Sequence, residues 1–259
     1  MDLGIAGRKA IICASSRGLG KACAVALARE GCVVVINGRN AQTLQETAEH
    51  ITALSGQAPV TVVADVSTDE GRAALLAACP TPDILVTNNG GPAPGDVGRW
   101  DHATWLAAVE GNMLSGILLI QAVVPGMRER RFGRIVNITS AMVKSPKLML
   151  GLSTASRAGL TAFAKAMSNE VVRDNVTINN LLPERIETDR IHYMTEQLAQ
   201  RKQITLEQAR AELLKPVAAR RFGRPGELAD ACAFLCSAQA GYISGQNLQI
   251  DGGSYEGLI

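Results

Sequence analysis

The feature that most constrains this chain is a rhythm. Short apolar runs rich in Val, Ile and Leu lie at residues 10–14, 33–36, 60–64, 84–87, 135–138, 178–182 and 248–250. They alternate with stretches of helical periodicity at 18–30, 41–54, 68–78, 103–129, 152–173 and 225–236. Runs of this length without polar alternation read as strands buried on both faces, as in a parallel sheet. Parallel neighbours need a crossover, and the helices supply it. The expected fold class is α/β: one Rossmann-type domain over residues 1–259, a doubly wound sheet of seven parallel strands with helices on both faces. One region breaks the rhythm. Residues 184–222 separate the sixth and seventh runs and carry a charged helical pattern over 194–214. It reads as a surface excursion or as a lid over a site at the carboxyl ends of the strands.

Composition narrows the function. A chain of 259 residues with 47% apolar and 19% charged residues is long enough to bury a core and is not a disordered tail. Its net charge of +2 gives no general pull on nucleic acid or acidic membranes, and 3% aromatics argues against a base-stacking platform. No apolar run reaches ~18 residues, so no membrane span is expected. The start, Met1-Asp2-Leu3-Gly4, lacks a basic region followed by an apolar stretch, so no signal peptide is expected either. Six cysteines at 13, 23, 32, 79, 232 and 236 form no Cys-x-x-Cys pair. They read as reduced thiols of a cytoplasmic protein, with Cys232 and Cys236 as core residues. His50, His102 and His192 are scattered and suggest no metal site.

After the first run comes Cys13-Ala14-Ser15-Ser16-Arg17-Gly18-Leu19-Gly20, opening a helix. A Gly-rich strand-to-helix turn can present backbone N–H groups and a positive helix end to a pyrophosphate; it can also be a plain tight turn. The second run ends at Asn37-Gly38-Arg39, where an acid would favour a free ribose 2′-hydroxyl. There is none. Arg17 and Arg39 converging on one spot would suit a 2′-phosphate, so NADP(H) is expected over NAD(H), with solvated surface charge as the bland alternative.

At this point the sequence resembles the short-chain dehydrogenase/reductase family, especially its β-ketoacyl-carrier-protein-reductase-like branch. The resemblance covers nearly the whole chain. Asp65-Val66 looks like the family's adenine contact, and Asn88-Asn89-Gly90-Gly91 like its stretch after the fourth strand. Asn112 falls where the family has a helix-kinking Asn. Gly133 through Ser140 matches the fifth strand with its catalytic Ser, and Ile178 through Pro183 matches the sixth. The segments 222–228 and 245–253 match its carboxyl-terminal signature. The resemblance implies cofactor contacts at Ser15, Ser16, Arg17, Gly18, Leu19, Gly20, Arg39, Asp65, Val66, Asn89, Gly90, Gly91, Arg157, Pro183, Ile186 and Thr188. It also implies a homotetramer pairing the helices at 103–129 and 152–173.

The family uses a Tyr as proton donor thirteen residues after the Ser, with a Lys four further on. Counting from Ser140 gives Ser153 and then Arg157. The resemblance thus implies a divergent branch with an incomplete tetrad, Asn112, Ser140, Ser153 and Arg157. The chemistry of the replacements matters. A phenol of pKa ~10 is ~3 units from neutrality, about 4 kcal/mol, and a neighbouring cation supplies much of that. An aliphatic alcohol behaves more like water, pKa ~15.7, leaving about 12 kcal/mol. Ser153 is therefore a poor general acid, while Arg157 can hold ribose hydroxyls and face a developing oxyanion but cannot shuttle protons. Ala14 replaces a turn glycine, tolerable at negative φ. Glu184 replaces the Gly after Pro183 and reads as a surface carboxylate or a substitute donor. Lys144 and Lys147 read as solvated charges or as partners of an anionic substrate, and Tyr193 as packing of the excursion or a residue that swings in. Three functions follow: an NADP(H)-dependent oxidoreductase on a carbonyl, possible acyl-carrier or other small-molecule substrates included; a nucleotide-binding pseudoenzyme; or non-redox chemistry in the same pocket.

Overall fold

The computed structural model describes residues 1–258. The seven runs become β1 (Lys9–Ile12), β2 (Val33–Gly38), β3 (Val60–Val63), β4 (Ile84–Thr87), β5 (Gly133–Ile138), β6 (Val176–Pro183) and β7 (Asn247–Ile250). They form one parallel sheet in the order β3-β2-β1-β4-β5-β6-β7. Successive strand residues face opposite sides. Ile12, Val86 and Val136 therefore enter one core with Leu27, Ile51 and Leu228, and Ile11, Leu85 and Ile135 enter a second with Leu75, Leu119 and Leu160. Both faces being covered is why the strands carry no polar alternation. Chain direction across the sheet reverses between β1 and β4, and such a switch point opens a crevice at the strands' carboxyl ends.

The helices are α1 (Gly18–Arg29), α2 (Ala41–Ser55), α3 (Asp69–Ala78), α4 (His102–Val109), α5 (Ser115–Glu129), α6 (Gly151–Val171), α7 (Asp189–Lys202), α8 (Leu206–Leu214) and α9 (Pro225–Cys236). Side-chain caps start several: Asn40 accepts from the Thr43 N–H, Thr68 from Gly71 and Asp101 from Thr104. The stretch expected as one helix over 103–129 is divided by a π-turn at Glu110–Leu114 that contains Asn112. Over His102–Glu129 the mean hydropathy reaches 1.6, so length and composition alone would allow a membrane span, which the sequence runs did not suggest. Half of its most apolar 18-residue window is buried, and Leu119, Ile120, Val123 and Met127 lie in the second core.

The charged pattern at 194–214 is two helices, not one. Gln203 closes α7 at φ 53°, and Thr205 opens α8 with a capping box to Gln208. Ile191, Leu213 and Phe222 give this excursion a small core of its own. All six cysteines are free and buried, and Cys232 and Cys236 pack in the first core beside Cys23.

Candidate active site

The turn from β1 into α1 is braced from three sides. Asn37 Oδ1 accepts the Ala14 N–H at 3.2 Å, and its Nδ2 donates to the Val62 and Ala64 carbonyls. Asn88 Nδ2 donates to the Ala14 carbonyl at 3.2 Å. Ser15 lies inside the turn: its hydroxyl donates to the Ile12 carbonyl and accepts the Asn37 N–H, and its own N–H is spent on the Asn37 carbonyl. Of the residues expected at the cofactor, Ser15 is thus a brace whose polar hydrogens are already committed. Ala14 departs from expectation more sharply. Its φ is +44°, the left-handed region, so its methyl is strained where a negative φ would have made it harmless. Gly20 is required by contact, since a Cβ there would stand 2.4 Å from the Ala14 carbonyl oxygen.

Beyond the brace the turn offers donors. Arg17 caps α1 in extended backbone with no side-chain bond to the helix, so no side chain caps the first-turn N–H groups around Gly18 and Leu19. Arg17 and Arg39 do not meet each other's partners. Arg17 pairs with Asp189 at 3.6 Å and Arg39 with Asp65 at 3.6 Å, and both are largely exposed. Asp65 is held below the usual carboxylate range, first by the Ser67 hydroxyl and also by the Arg39 charge. Ser16 sits against Gly38, where a Cβ would come within 2.9 Å of it, so a side chain at position 38 would force Ser16 to shift. Val66 is buried behind this edge. Thr188 caps α7 and faces Gly18, bringing the excursion over the turn. Ile186, by contrast, is buried in a bridge with Gly223.

The centre of the crevice belongs to Arg157. Its guanidinium is buried and tied to three segments. Nη1 donates to the Ile138 and Thr139 carbonyls at 2.7 and 3.0 Å, Nη2 to the Asn89 carbonyl at 3.1 Å, and Nε to Ser153 Oγ at 3.2 Å. The helical spacing expected to put Ser153 and Arg157 on one face does so. Burial, and then the charge of Arg190, push the Arg157 pKa down to about 10. Ser140 follows Thr139 directly; its hydroxyl accepts the Met142 N–H at 3.2 Å and keeps its own hydrogen for another acceptor. Asn112 is buried in the π-turn with Oδ1 unpartnered, and Asn89 Nδ2 ties that turn to β4 through the Gly111 carbonyl. A cavity of about 20 Å³ lies among Asn88, Asn89, Asn112, Ser115 and Arg157. Gly91 lies against Arg157 and Ser153, Gly90 is open, and Pro183 ends β6.

Glu184 pairs with Lys147 at 4.0 Å, a partner the sequence did not suggest. Lys144 stands 5.3 Å from the ring centre of Tyr255, so this tyrosine lies against the loop after Ser140. Tyr193 is half exposed on α7, and Tyr242 is fully exposed. Sequence reasoning missed two site residues. Arg190 reaches back from α7 to the Gly91 and Pro92 carbonyls, and Asn88 grips the first turn while Asn89 turns to the Gly111 carbonyl. Helical spacing gave no signal for either; the Asn-Asn repeat was the only hint.

A crevice at a topological switch point, with a Gly-rich turn on one side and a buried strand-end cation on the other, defines a dinucleotide-site architecture. The comparisons agree. A family model described as enoyl-(acyl carrier protein) reductase matches residues 13–255. The chain belongs to the short-chain dehydrogenase/reductase family. It is 31% identical to the NADPH-dependent reductase BacG of Bacillus subtilis, covering 97% of this chain and 99% of that one. It is 33% identical to the 3-oxoacyl-[acyl-carrier-protein] reductase FabG of Vibrio cholerae, covering 98% and 99%. The structure of L-sorbose reductase from Gluconobacter frateurii, complexed with NADPH and L-sorbose, superposes with a TM-score of 0.94 at 30% identity over 100% of both chains.

Proposed function

We propose that this chain is an NADP(H)-dependent reductase of a small carbonyl compound, working without the family's phenolic acid. NADP(H) supplies a hydride when bound. NADPH is named in BacG and in the bound state of L-sorbose reductase, and the local residues fit it. The open N–H groups of α1 suit the pyrophosphate. Arg39, beside Asp65 and with no side chain at Gly38 to compete, suits a 2′-phosphate. Arg157 is the observation that carries the reading. It occupies the Lys position by register, and a permanently charged fork there can hold ribose hydroxyls and stabilise an oxyanion. Ser140 donates to the carbonyl oxygen. Ser153, already accepting from Arg157, positions rather than protonates, and the proton comes from water. Residues 184–222 act as the lid. FabG relatives admit an acyl-carrier substrate as one candidate.

The test is calorimetry with NADPH and NADH, followed by NADPH consumption over a panel of ketones and aldehydes. Tighter NADPH binding with slow turnover of at least one carbonyl supports the reading. Binding with no turnover anywhere favours a pseudoenzyme, and no binding of either nucleotide rejects the reading outright. We further propose a homotetramer through α5 and α6, with light scattering as its check; Leu118 is among the exposed apolar residues of that face.

A further inference from the structure

A cavity of about 420 Å³ lies between the outer face of α1, the start of α7 and the start of α9. Small side chains account for it. On α1, Gly18, Ala22, Val25 and Arg29 recur at helical spacing on one face with Ala26 beside them, whereas Cys23, Ala24 and Leu27 turn into the first core. On α9 the wall is Ala229 and Gly226, and a Cβ on Gly226 would meet open space. The apolar residues of α7 do not cross the gap, because Ile191 and Met194 are engaged with Leu213 and Phe222 in the core of the excursion. We propose that this cavity is a second binding site, separate from the dinucleotide crevice, for an amphipathic organic anion: a carboxylate carrying a medium-length apolar chain.

The floor selects the chain and the rim selects the head. Ala22, Val25, Ala26 and Ala229 give an apolar floor, and the volume falls within the ~300–1,000 Å³ of small-molecule pockets. Three acids stand at the rim, and two of them are answered from outside the cavity. Glu187 pairs with Arg210 at 2.8 Å, and Asp189 with Arg17 at 3.6 Å. Asp230 remains, one turn along α9 from Gly226. Against it stand Lys21 and Arg29, which make no ion pair among the described residues, and the rings of His50 and His192, which make no side-chain hydrogen bond there. Free cations thus exceed free acids. Lys21 is half-buried, so its ammonium is the one whose lost hydration an anion restores, while Arg29 is exposed about two turns further on. The first turn of α9, opened by Pro225, borders the same cavity and adds its positive helix end. The carboxylate is therefore assigned to Lys21 and the chain to the alanine-lined floor.

The test uses protein loaded with NADP⁺ and titrated calorimetrically with octanoate, octylammonium and 1-octanol, which share a chain and differ in the head. Octanoate is expected to bind about tenfold more tightly than either, the ratio that one charge-assisted hydrogen bond supplies. Lys21→Met is expected to erase that preference and Lys21→Arg to retain it. Ala26→Phe fills the floor and is expected to weaken octanoate and 1-octanol alike, with NADP⁺ affinity within about twofold of wild type. Both positions are only partly buried, and melting curves check that the variants fold; Ala22→Leu replaces Ala26→Phe if it does not. Octanoate that fails to bind, or binds no better than octylammonium, overturns the proposal. So does binding indifferent to both the Lys21 and the floor substitutions. Octanoate that binds only NADP⁺-free protein and is displaced by NADP⁺ occupies the crevice, which overturns it too. If the protein takes up no NADP⁺ yet binds octanoate through Lys21, the cavity site stands and the reductase reading alone falls.

Discussion

Ala14 carries a methyl group at φ +44°, held there by Asn37 on one side and Asn88 on the other. Left-handed backbone costs an L-residue roughly 1–2 kcal/mol, part of which glycine's extra unfolded-state entropy cancels. Ala14→Gly should therefore raise stability by about 0.5–1 kcal/mol; a melting temperature that stays level or falls contradicts the strain. Arg39 makes a different prediction. Charge-assisted bonds to a 2′-phosphate are worth ~1.5–3 kcal/mol. Arg39→Gln should weaken NADPH binding about tenfold or more and leave NADH binding nearly unchanged, as read by titration calorimetry; an equal loss for both nucleotides contradicts the assignment. At this scale the sequence was informative where the geometry is local. The four-residue step from Ser153 to Arg157 holds because one helix, α6, sets it. The Arg157 bond to Asn89 spans 68 residues and has no periodic trace.

Among the elements, α9 shows how a motif can be read for its family and missed for its physics. Pro225 opens the helix, and Glu227 accepts the Arg224 N–H and a two-pronged bond from Arg221. The Arg221 guanidinium first, and the Arg224 N–H second, bring the Glu227 pKa down to about 2. A depressed folded pKa favours the folded state once the unfolded carboxylate ionises, above about 4.3, and the advantage fades as pH falls toward about 2. Glu227→Gln should thus be less stable than wild type at pH 7, with the gap closing in acid melts below that value; a gap independent of pH contradicts the pairing. Strands and helices of the sheet were legible to within a few residues, because burial on both faces imposes unbroken apolar runs. The π-turn at Glu110–Leu114 and the break at Gln203 were not, because each depends on tertiary packing or on one residue's backbone angle.

At the scale of the whole molecule, one polar line runs through the sheet beneath the site. The Thr87 hydroxyl donates to Asn137 Oδ1 at 2.7 Å, Asn137 Nδ2 to Asn180 Oδ1 at 2.9 Å, and Asn180 Nδ2 to Asn247 Oδ1 at 2.8 Å. These residues are register partners on β4, β5, β6 and β7, so the ladder ties four strands together. A buried polar group left without its partner costs ~1–3 kcal/mol, and removing the middle of a ladder strands two. Asn180→Ala should lower unfolding stability by about 2–4 kcal/mol on that basis, measured by urea titration; a loss under 1 kcal/mol would mean the ladder is incidental. The ladder lies next to the Ile138 and Thr139 carbonyls that Arg157 grips, and so joins the sheet to the proposal that Ser153 and Arg157 replace the family's phenol and amine. The most direct measurement is NADPH consumption by wild type and by the double change Ser153→Tyr with Arg157→Lys on the same carbonyl panel. Slow wild-type turnover is expected, with a gain of tenfold or more in the double variant on at least one substrate. Wild-type turnover already in the ordinary range of ~1–10³ s⁻¹, lost in the double variant, would show that the proton donor lies elsewhere.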